Sequence, residues 1–136
     1  MLLVEATWKE VESYLADTRA IIMPIGSVEQ HGPMGLMGTD AMCAEVIARR
    51  AGELAGILVG PTLALGMAQS HLAFPGTISL KPSTLMAVVE DVVSSLSNSG
   101  FQQIVFLNGH GGNIATVMTA FGEIHAHRSL QQDPDN

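Results

Sequence analysis

Residues 20–33 read AIIMPIGSVEQHGP, an apolar run that ends in a glycine-rich loop. The run from 20 to 25 has the length of a strand, and its unbroken apolar character predicts a strand covered on both faces of a parallel sheet. The loop that follows carries Glu29 and His31, and Asp40 comes soon after it. A buried strand that leads to two carboxylates and an imidazole predicts half of a metal site.

Residues 104–113 repeat this architecture, because they read IVFLNGHGGN and place His110 among glycines after a second apolar run. Ligands of parallel sheets bind beyond the carboxyl ends of the strands, so we expect His110 to complete the site. Glu29 and His31 are two residues apart, a spacing that we expect to direct them to opposite sides. They then serve either two different ions, or as one ligand and one residue that orients a ligand. Asp40 offers two oxygens, which suits a bridge between two cations.

This mixed set of nitrogen and oxygen donors favours Zn²⁺, Mn²⁺ or Fe²⁺ over a thiolate site or an all-oxygen calcium site. Two such ions about 3.5–4 Å apart activate a water molecule and polarise a carbonyl group. That chemistry is suited to the hydrolysis of an amide.

Helical and strand patterns alternate along the chain, which predicts an α/β fold with a mostly parallel sheet. We expect four of the apolar residues in the second helix to face inward, namely Met42, Val46, Ile47 and Leu54. The predicted helices are 7–15, 40–55 (capped by Asp40), 82–99 and 113–128; the predicted buried strands are 20–25, 57–59 and 103–107; the tail from 131 to 136 is expected to fray.

Composition narrows the class of protein. The 136 residues fit one domain, 1–136, and 47% apolar against 14% charged content disfavours disorder. With 13 Asp+Glu against 6 Lys+Arg, no basic stripe marks a nucleic-acid interface. A single cysteine excludes an internal disulfide, the first residues do not resemble a signal peptide, and no apolar run reaches about 20 residues. We therefore expect a soluble cytoplasmic protein without a membrane partner, and its low charge and high apolar content favour a subunit interface.

Each candidate residue also has an ordinary structural interpretation. Asp40 alone is more often a helix N-cap than a ligand, and Glu29 alone is more often solvated or salt-bridged. His31 is also compatible with a loop histidine bonded to the backbone. His110 is also compatible with a helix N-terminus that binds phosphate, although its loop lacks the Lys-Ser/Thr of a P-loop. His71 is expected either to contact substrate or a neighbouring subunit, or to make a structural hydrogen bond.

Three segments together resemble the signatures of the creatininase (creatinine amidohydrolase) family. They are residues 23–33 with 38–40, residues 74–80 and residues 108–113, which read MPIGSVEQHGP with GTD, FPGTISL and NGHGGN. Their order and spacing agree over essentially the whole chain. The resemblance implies a three-layer α/β/α fold and a hydrolase that cleaves a non-peptide C–N bond in a small cyclic or linear amide. It also implies two divalent ions, Zn²⁺ and/or Mn²⁺ with Fe²⁺ as a further candidate, and a homo-oligomer that is often a hexamer.

By position, the resemblance makes Glu29, His31, Asp40 and His110 metal ligands, with Asp40 bridging. The residues expected on the substrate side are His71, Gly111, Gly112 and Asn113. In creatininase itself a glutamate follows the third-motif histidine by two positions and binds the second ion, whereas this chain has Gly112 there. The double glycine is similar to family branches with other substrates, namely a formamide hydrolase of deazaflavin and riboflavin biosynthesis and a peptidase that matures the mycofactocin precursor.

In those branches the remaining ligand is a glutamate from a later segment, HAGxxxETS. We expect this chain to be truncated at its C-terminus relative to the family, with the fifth ligand and a proton-shuttle histidine lying beyond Asn136. The catalytic acid or base therefore has no assignment here. Two alternatives remain at this point: a truncated, non-catalytic metal-binding subunit that acts as an oligomer partner, and a phosphate binder at the His110 loop.

Overall fold

A parallel three-stranded sheet lies at the centre of the computed structural model, which describes residues 1–131. Strand β1 (Ala20–Ile25) lies between β2 (Leu58–Val59) and β3 (Gln103–Asn108). It pairs with β3 along its whole length and with β2 over two residues. All six residues of β1 are buried, which confirms the prediction of a strand covered on both faces.

Helices cover both faces of this sheet. Helix α2 (Thr39–Ala55) packs on one face, where Ile22 of β1 meets Ala48. The other face is covered by α1 (Trp8–Asp17), α3 (Pro82–Asn98) and α4 (Ile114–Gln131). The predicted three-layer α/β/α fold is therefore confirmed. The predicted fraying of the tail concerns residues after 131, which lie outside the described residues.

Short 3₁₀ turns and glycines mark the remaining boundaries of the elements. The turns are Leu3–Glu5, Gln69–His71 and Gly111–Asn113. Helix α3 begins at Pro82 as its sequence predicts, and Gly100 follows its end with a positive φ of 108°. Within residues 1–131, no helix is both long enough and apolar enough to cross a bilayer.

The prediction that the large apolar residues of α2 face inward is wrong. Met42, Val46, Ile47 and Leu54 are between 46% and 71% exposed. The buried stripe consists instead of Asp40 and small residues at helical spacing, Ala41, Ala44, Ala48 and Gly52. Small side chains let the helix axis approach β1 and β2 closely, so the apolar contact comes from the sheet's own Ile22 and Val59.

The prediction that β3 is buried is also wrong, although the strand itself is confirmed. Each of its residues is half-buried or exposed, and Val105 is 54% exposed. Both outer strands lie at an edge of the described sheet, but β2 is buried because α2 packs on Val59, whereas Leu107 is the only β3 residue in that cluster. Ile104 and Phe106 point to the face covered by α3 and α4. The alternate residues of β3 point to the opposite face, which is less well covered.

The strand order creates a crevice at one end of the sheet. From β1 the chain crosses to β2 on one side through α2, and from β2 it crosses to β3 on the other side of β1 through α3. The loops that follow β1 and β3 therefore leave neighbouring strands and diverge. Such a switch point at the carboxyl ends of parallel strands is where α/β sheets bind ligands.

Candidate metal centre

Two glycines bring the start of α2 against the ends of β1 and β3. A Cβ atom at Gly26 would overlap the main chain of Asp40 and Ala41, and one at Gly109 would overlap the carbonyl oxygen of Asp40. Because these side chains are absent, the first turn of α2 lies directly on the two strand ends. Asp40 is thereby placed between the loop after β1 and the loop after β3.

The predicted ligands meet in this crevice. Ligand atoms of Glu29, His31 and Asp40 all lie within 4.8 Å of one another. His110 Nδ1 lies 3.3 Å from Glu29 Oε1 and 2.9 Å from Asp40 Oδ2, and His31 Nε2 lies 3.0 Å from Asp40 Oδ1. The two oxygens of Asp40 therefore face different histidines, as a bridging carboxylate would.

Glu29 and His31 do not point to opposite sides, contrary to the expectation from their spacing. The His31 ring turns back and its Nδ1 lies 3.0 Å from the carbonyl oxygen of Glu29. This contact brings the far nitrogen, Nε2, to the same side as the Glu29 carboxylate. The assignment of the two side chains to different ions remains compatible with the geometry. His31 Nε2 lies beside Asp40 Oδ1, whereas Glu29 Oε1 lies beside His110 Nδ1, which faces the other oxygen of Asp40.

Main-chain carbonyls select the tautomer of both histidines. A carbonyl oxygen only accepts, so His31 Nδ1 donates to Glu29 and His110 Nε2 donates to Met67 at 3.0 Å. In the neutral rings the other nitrogen then carries a lone pair. Those lone pairs belong to His31 Nε2 and His110 Nδ1, the two atoms nearest Asp40. Metal-binding histidines are oriented in this way by their outer nitrogen.

Asp40 supplies the test of whether a cation fits. Its Oδ2 atom is buried and accepts no hydrogen bond, although His110 Nδ1 lies 2.9 Å away. A carboxylate oxygen that faces a lone pair in a buried place is unfavourable without a positive charge. A divalent ion satisfies the oxygen and the nitrogen at once, so the donors present fit a metal.

The electrostatic environment of His31 also favours positive charge. The pKa of His31 is raised above its ordinary value, first because its ring donates to the Glu29 carbonyl and also because the Asp40 carboxylate lies beside it, while desolvation opposes the shift. Glu29 is buried and its Oε2 accepts a 3.4 Å hydrogen bond from the hydroxyl group of the fully buried Ser27. The crevice thus concentrates negative charge that a cation neutralises.

His71 lies beside the centre. Its Nε2 is 3.8 Å from Glu29 Oε1, and its Nδ1 accepts a 2.8 Å hydrogen bond from the side-chain amide of Gln30. The Gln30 amide is oriented by the Gly32 N–H, which donates to its oxygen. This chain of contacts places the proton of neutral His71 on Nε2, the nitrogen that faces the carboxylate of Glu29.

The three other residues predicted on the substrate side differ in position. Gly111 is exposed and Gly112 is half-buried in the turn after His110. Asn113 has a fully buried side chain, whose amide bonds to Met67, Gly26 and Asn108. The structure therefore places the two glycines at the crevice and Asn113 behind it.

Some residues of the centre carry no sequence signal of their own. Met67 contributes a carbonyl oxygen, which every residue type has, so its contact with His110 was not predictable. Ser27 and Gln30 lie within the conspicuous loop and could have been identified by their polar side chains next to Glu29. Residues 60–76 show no hydrophobic periodicity in the sequence. Further residues that contact the predicted ligands, such as Met67 and His71, lie in this stretch.

Comparisons with known proteins identify the family of this chain. The family described as Creatininase, creatinine amidohydrolase, matches residues 4–134. The creatinine amidohydrolase of Pseudomonas putida is 36% identical over 115 residues, which are 80% of this chain and 44% of that protein. A mycofactocin precursor peptide peptidase of Mycolicibacterium smegmatis is 35% identical, covering 74% of this chain and 42% of its own length. A 3-dehydro-scyllo-inosose hydrolase of Thermotoga maritima is 30% identical over 77% of this chain and 34% of that protein.

Solved structures give the same result. A zinc–zinc form of a mutant creatininase and a manganese form of creatininase each superpose with a TM-score of 0.87 at 30% identity. The matches cover 96% and 97% of this chain and 54% of each of those chains. The chain therefore spans about half the length of the relatives that it resembles.

Proposed function

The chain belongs to the creatininase family, and from this premise we propose that it is a metal-dependent amidohydrolase that acts on a small cyclic or linear amide. The proposal treats residues 1–136 as one creatininase-like domain that hydrolyses a non-peptide C–N bond of the creatinine type. One observation carries it: the buried Asp40 carboxylate presents one oxygen to each of two histidine lone pairs. That arrangement suits two cations better than it suits a phosphate anion or a purely structural ion pair.

Four side chains would hold the two divalent ions. Glu29, Asp40 and His110 form one group of donors, while His31 and the second oxygen of Asp40 begin the other. Zn²⁺ and Mn²⁺ are the proposed ions, supported by the zinc and manganese forms of creatininase, and Fe²⁺ also suits the donors. When bound, such a pair of ions supplies an activated water molecule and polarises the substrate carbonyl.

The remaining steps belong to residues of the chain. We propose that His71 binds the substrate through its protonated Nε2, which Gln30 keeps available by donating to Nδ1. Main-chain N–H groups at Gly111 and Gly112 offer further donors at the open side of the turn. Donors directed at a carbonyl oxygen stabilise the negative charge that develops during attack. The acid that protonates the leaving nitrogen has no candidate among these residues.

A second candidate function rests on Gly112. A Cβ atom there would overlap His110 Nε2 and would lie 2.6 Å from the Met67 carbonyl oxygen. The arrangement seen here therefore does not accommodate a glutamate ligand at this position. This favours the family branches with a double glycine, a formamide hydrolase or a peptide-maturing peptidase. The identities to a mycofactocin precursor peptide peptidase (35%) and to a creatinine amidohydrolase (36%) are nearly equal, so this second candidate rests on Gly112 alone.

The proposal extends to assembly and compartment. We propose a homo-oligomer of this chain, with the hexamer as the expected form, because α2 exposes large apolar residues and β3 lies at the edge of the described sheet. A cytoplasmic location is part of the same proposal, since the single cysteine forms no internal disulfide.

Metal loading followed by turnover tests the function. The chain is stripped with a chelator and reloaded with Zn²⁺ or Mn²⁺, bound metal is counted by mass spectrometry of the elements, and creatinine, a formamide and a precursor peptide are each assayed. Metal-dependent hydrolysis of one of them supports the proposal and identifies the branch. Bound metal without turnover of any of the three indicates the non-catalytic subunit, and failure to bind either ion contradicts the metal centre itself.

A further inference from the structure

Asn113 occupies a central position behind the metal centre. Its side chain is fully buried, and its oxygen accepts a 2.9 Å hydrogen bond from the Met67 N–H. Its amide nitrogen donates to the Gly26 carbonyl oxygen at 2.9 Å and to Asn108 Oδ1 at 3.2 Å. Both amide hydrogens are therefore used, as buried amides require, and the side chain has no free donor for a substrate.

These bonds join three segments that are distant in sequence. Gly26 follows β1 and begins the loop of Glu29 and His31, and Asn108 is the last residue of β3 before the loop of His110. Met67 lies in the irregular stretch between β2 and α3. One amide group thus ties together the two ligand loops and the segment that covers them.

Met67 connects Asn113 to His110. The Met67 N–H is held by Asn113, and the Met67 carbonyl accepts the hydrogen bond from His110 Nε2 at 3.0 Å. The His110 contact requires the small residue at 112, because a Cβ there would overlap Nε2 and crowd the carbonyl oxygen. The position of one main-chain residue therefore decides which nitrogen of His110 carries the proton and which faces Asp40.

We propose that Asn113 is a positioning residue that fixes the tautomer and orientation of His110 through the main chain of Met67. Asn113 then helps to build the metal centre and does not bind substrate, which is the role that the sequence predicted for it. The inference rests on the proposed metal site for its consequence in affinity, but its effect on the His110 ring exists in the metal-free protein. Partners that orient a histidine ligand in this way typically contribute about 10–100-fold to metal affinity.

Two variants and two controls test this role. Asn113→Ala removes the three side-chain bonds, and Gly112→Ala leaves Asn113 in place but separates His110 from the Met67 carbonyl. Thr116→Val changes another buried polar residue at the start of α4, and Met67→Leu keeps the carbonyl while changing a partly buried side chain. The controls measure what a general disturbance of the same region does.

Two readouts separate positioning from folding. Long-range ¹⁵N–¹H correlation spectra of the metal-free protein report which nitrogen of His110 carries the proton. Titration with Co²⁺ or Zn²⁺ against a chelator reports affinity. We expect the Nε2–H tautomer in the wild type and both controls, a mixture of tautomers in the two test variants, and an affinity about 10–100-fold lower in those variants.

The outcomes are distinct. An unchanged tautomer and affinity in either folded test variant overturns the inference, and so does a loss in Thr116→Val as large as that in Asn113→Ala. If Asn113→Ala does not fold, Asn113→Ser is measured in its place with the same expected and overturning outcomes, because Gly112→Ala tests only the contact between His110 and Met67. If the wild type binds neither metal, the proposed function fails, while the tautomer measurement still supports or overturns the role of Asn113.

Discussion

Asp40 shows how one residue can satisfy two structural interpretations. Its sequence position suits a helix N-cap, yet α2 begins one residue earlier, at Thr39, and the N-cap is Gly38 without a side-chain hydrogen bond. Asp40 lies in the first turn instead, where the helix dipole stabilises a carboxylate. Its oxygens are therefore free to face His31 and His110.

Replacing this carboxylate should remove the metal at both positions. In Asp40→Asn one oxygen becomes an amide nitrogen, which donates rather than accepts and carries no negative charge. We expect the metal content measured after dialysis to fall for both ions, while Asp91→Asn, an exposed change on α3, leaves it at the wild-type value. Equal metal content in Asp40→Asn and wild type would falsify the assignment of the bridge.

For single residues, the sequence predicts the metal-ligating side chains better than it predicts the groups that orient them. Glu29, His31, Asp40 and His110 have side chains suited to cations and follow apolar strands, so their convergence was predictable. The groups that orient the two histidines are carbonyl oxygens of Glu29 and Met67. Main-chain atoms are common to all residues, so only the folded path of the chain reveals which of them lie in reach.

Helix α2 illustrates the corresponding limit for an element. Their size predicts that the large apolar residues of α2 face inward, but the helix packs through alanines and a glycine and exposes its large side chains. Hydrophobic periodicity assumes that the largest residues are buried. That assumption fails where a helix must approach a sheet closely, as α2 does to place Asp40 at the strand ends. The boundaries of α2, by contrast, agree with the sequence within one residue.

Two glycines in helices should respond in opposite ways to alanine. At Gly52 a Cβ would overlap a methyl group of Val59 and lie 2.7 Å from the Ile57 carbonyl oxygen, so we expect Gly52→Ala to destabilise the fold by about 1–3 kcal/mol. At Gly122 in α4 a Cβ meets open space, so Gly122→Ala should stabilise by about 0.5–1 kcal/mol. Urea unfolding of both variants measures the difference, and equal shifts would contradict the close packing of α2.

The start of α1 should make stability depend on acidity. The pKa of Glu10 is lowered because the Thr7 N–H donates to its carboxylate, with a further contribution from the Thr7 hydroxyl group. A lowered folded pKa adds stability above the unfolded value, and this stability is lost as the pH falls through the folded pKa. Carboxyl titration by NMR should show the lowered pKa in wild type and a small return toward the ordinary value in Thr7→Ala, which loses the hydroxyl donor but keeps the main-chain N–H donor. An ordinary pKa of Glu10 in the wild type would contradict the capping box.

At the scale of the molecule, exposed apolar surface predicts self-association. Val46 and Ile47 of α2 are 66% and 57% exposed, on a chain of 14.3 kDa. We expect light scattering after gel filtration to give a mass several times that of one chain, and Val46→Lys with Ile47→Lys to reduce it. Ser83→Lys on the exposed start of α3 is the matched control. A monomeric wild type would remove the basis for the proposed oligomer.

Glu29 and His110 are 81 positions apart in sequence, so an ion held by both joins two distant segments of the chain. The unfolded chain does not hold these donors together, so the ion binds the folded state and its binding free energy adds to the stability of the fold. At a free metal concentration about 100 times the Kd, this contribution is about 2.7 kcal/mol. Metal removal should therefore accelerate unfolding and lower the melting temperature, which calorimetry with and without a chelator measures. The metal centre would then also stabilise the folded chain and lower the frequency with which it unfolds.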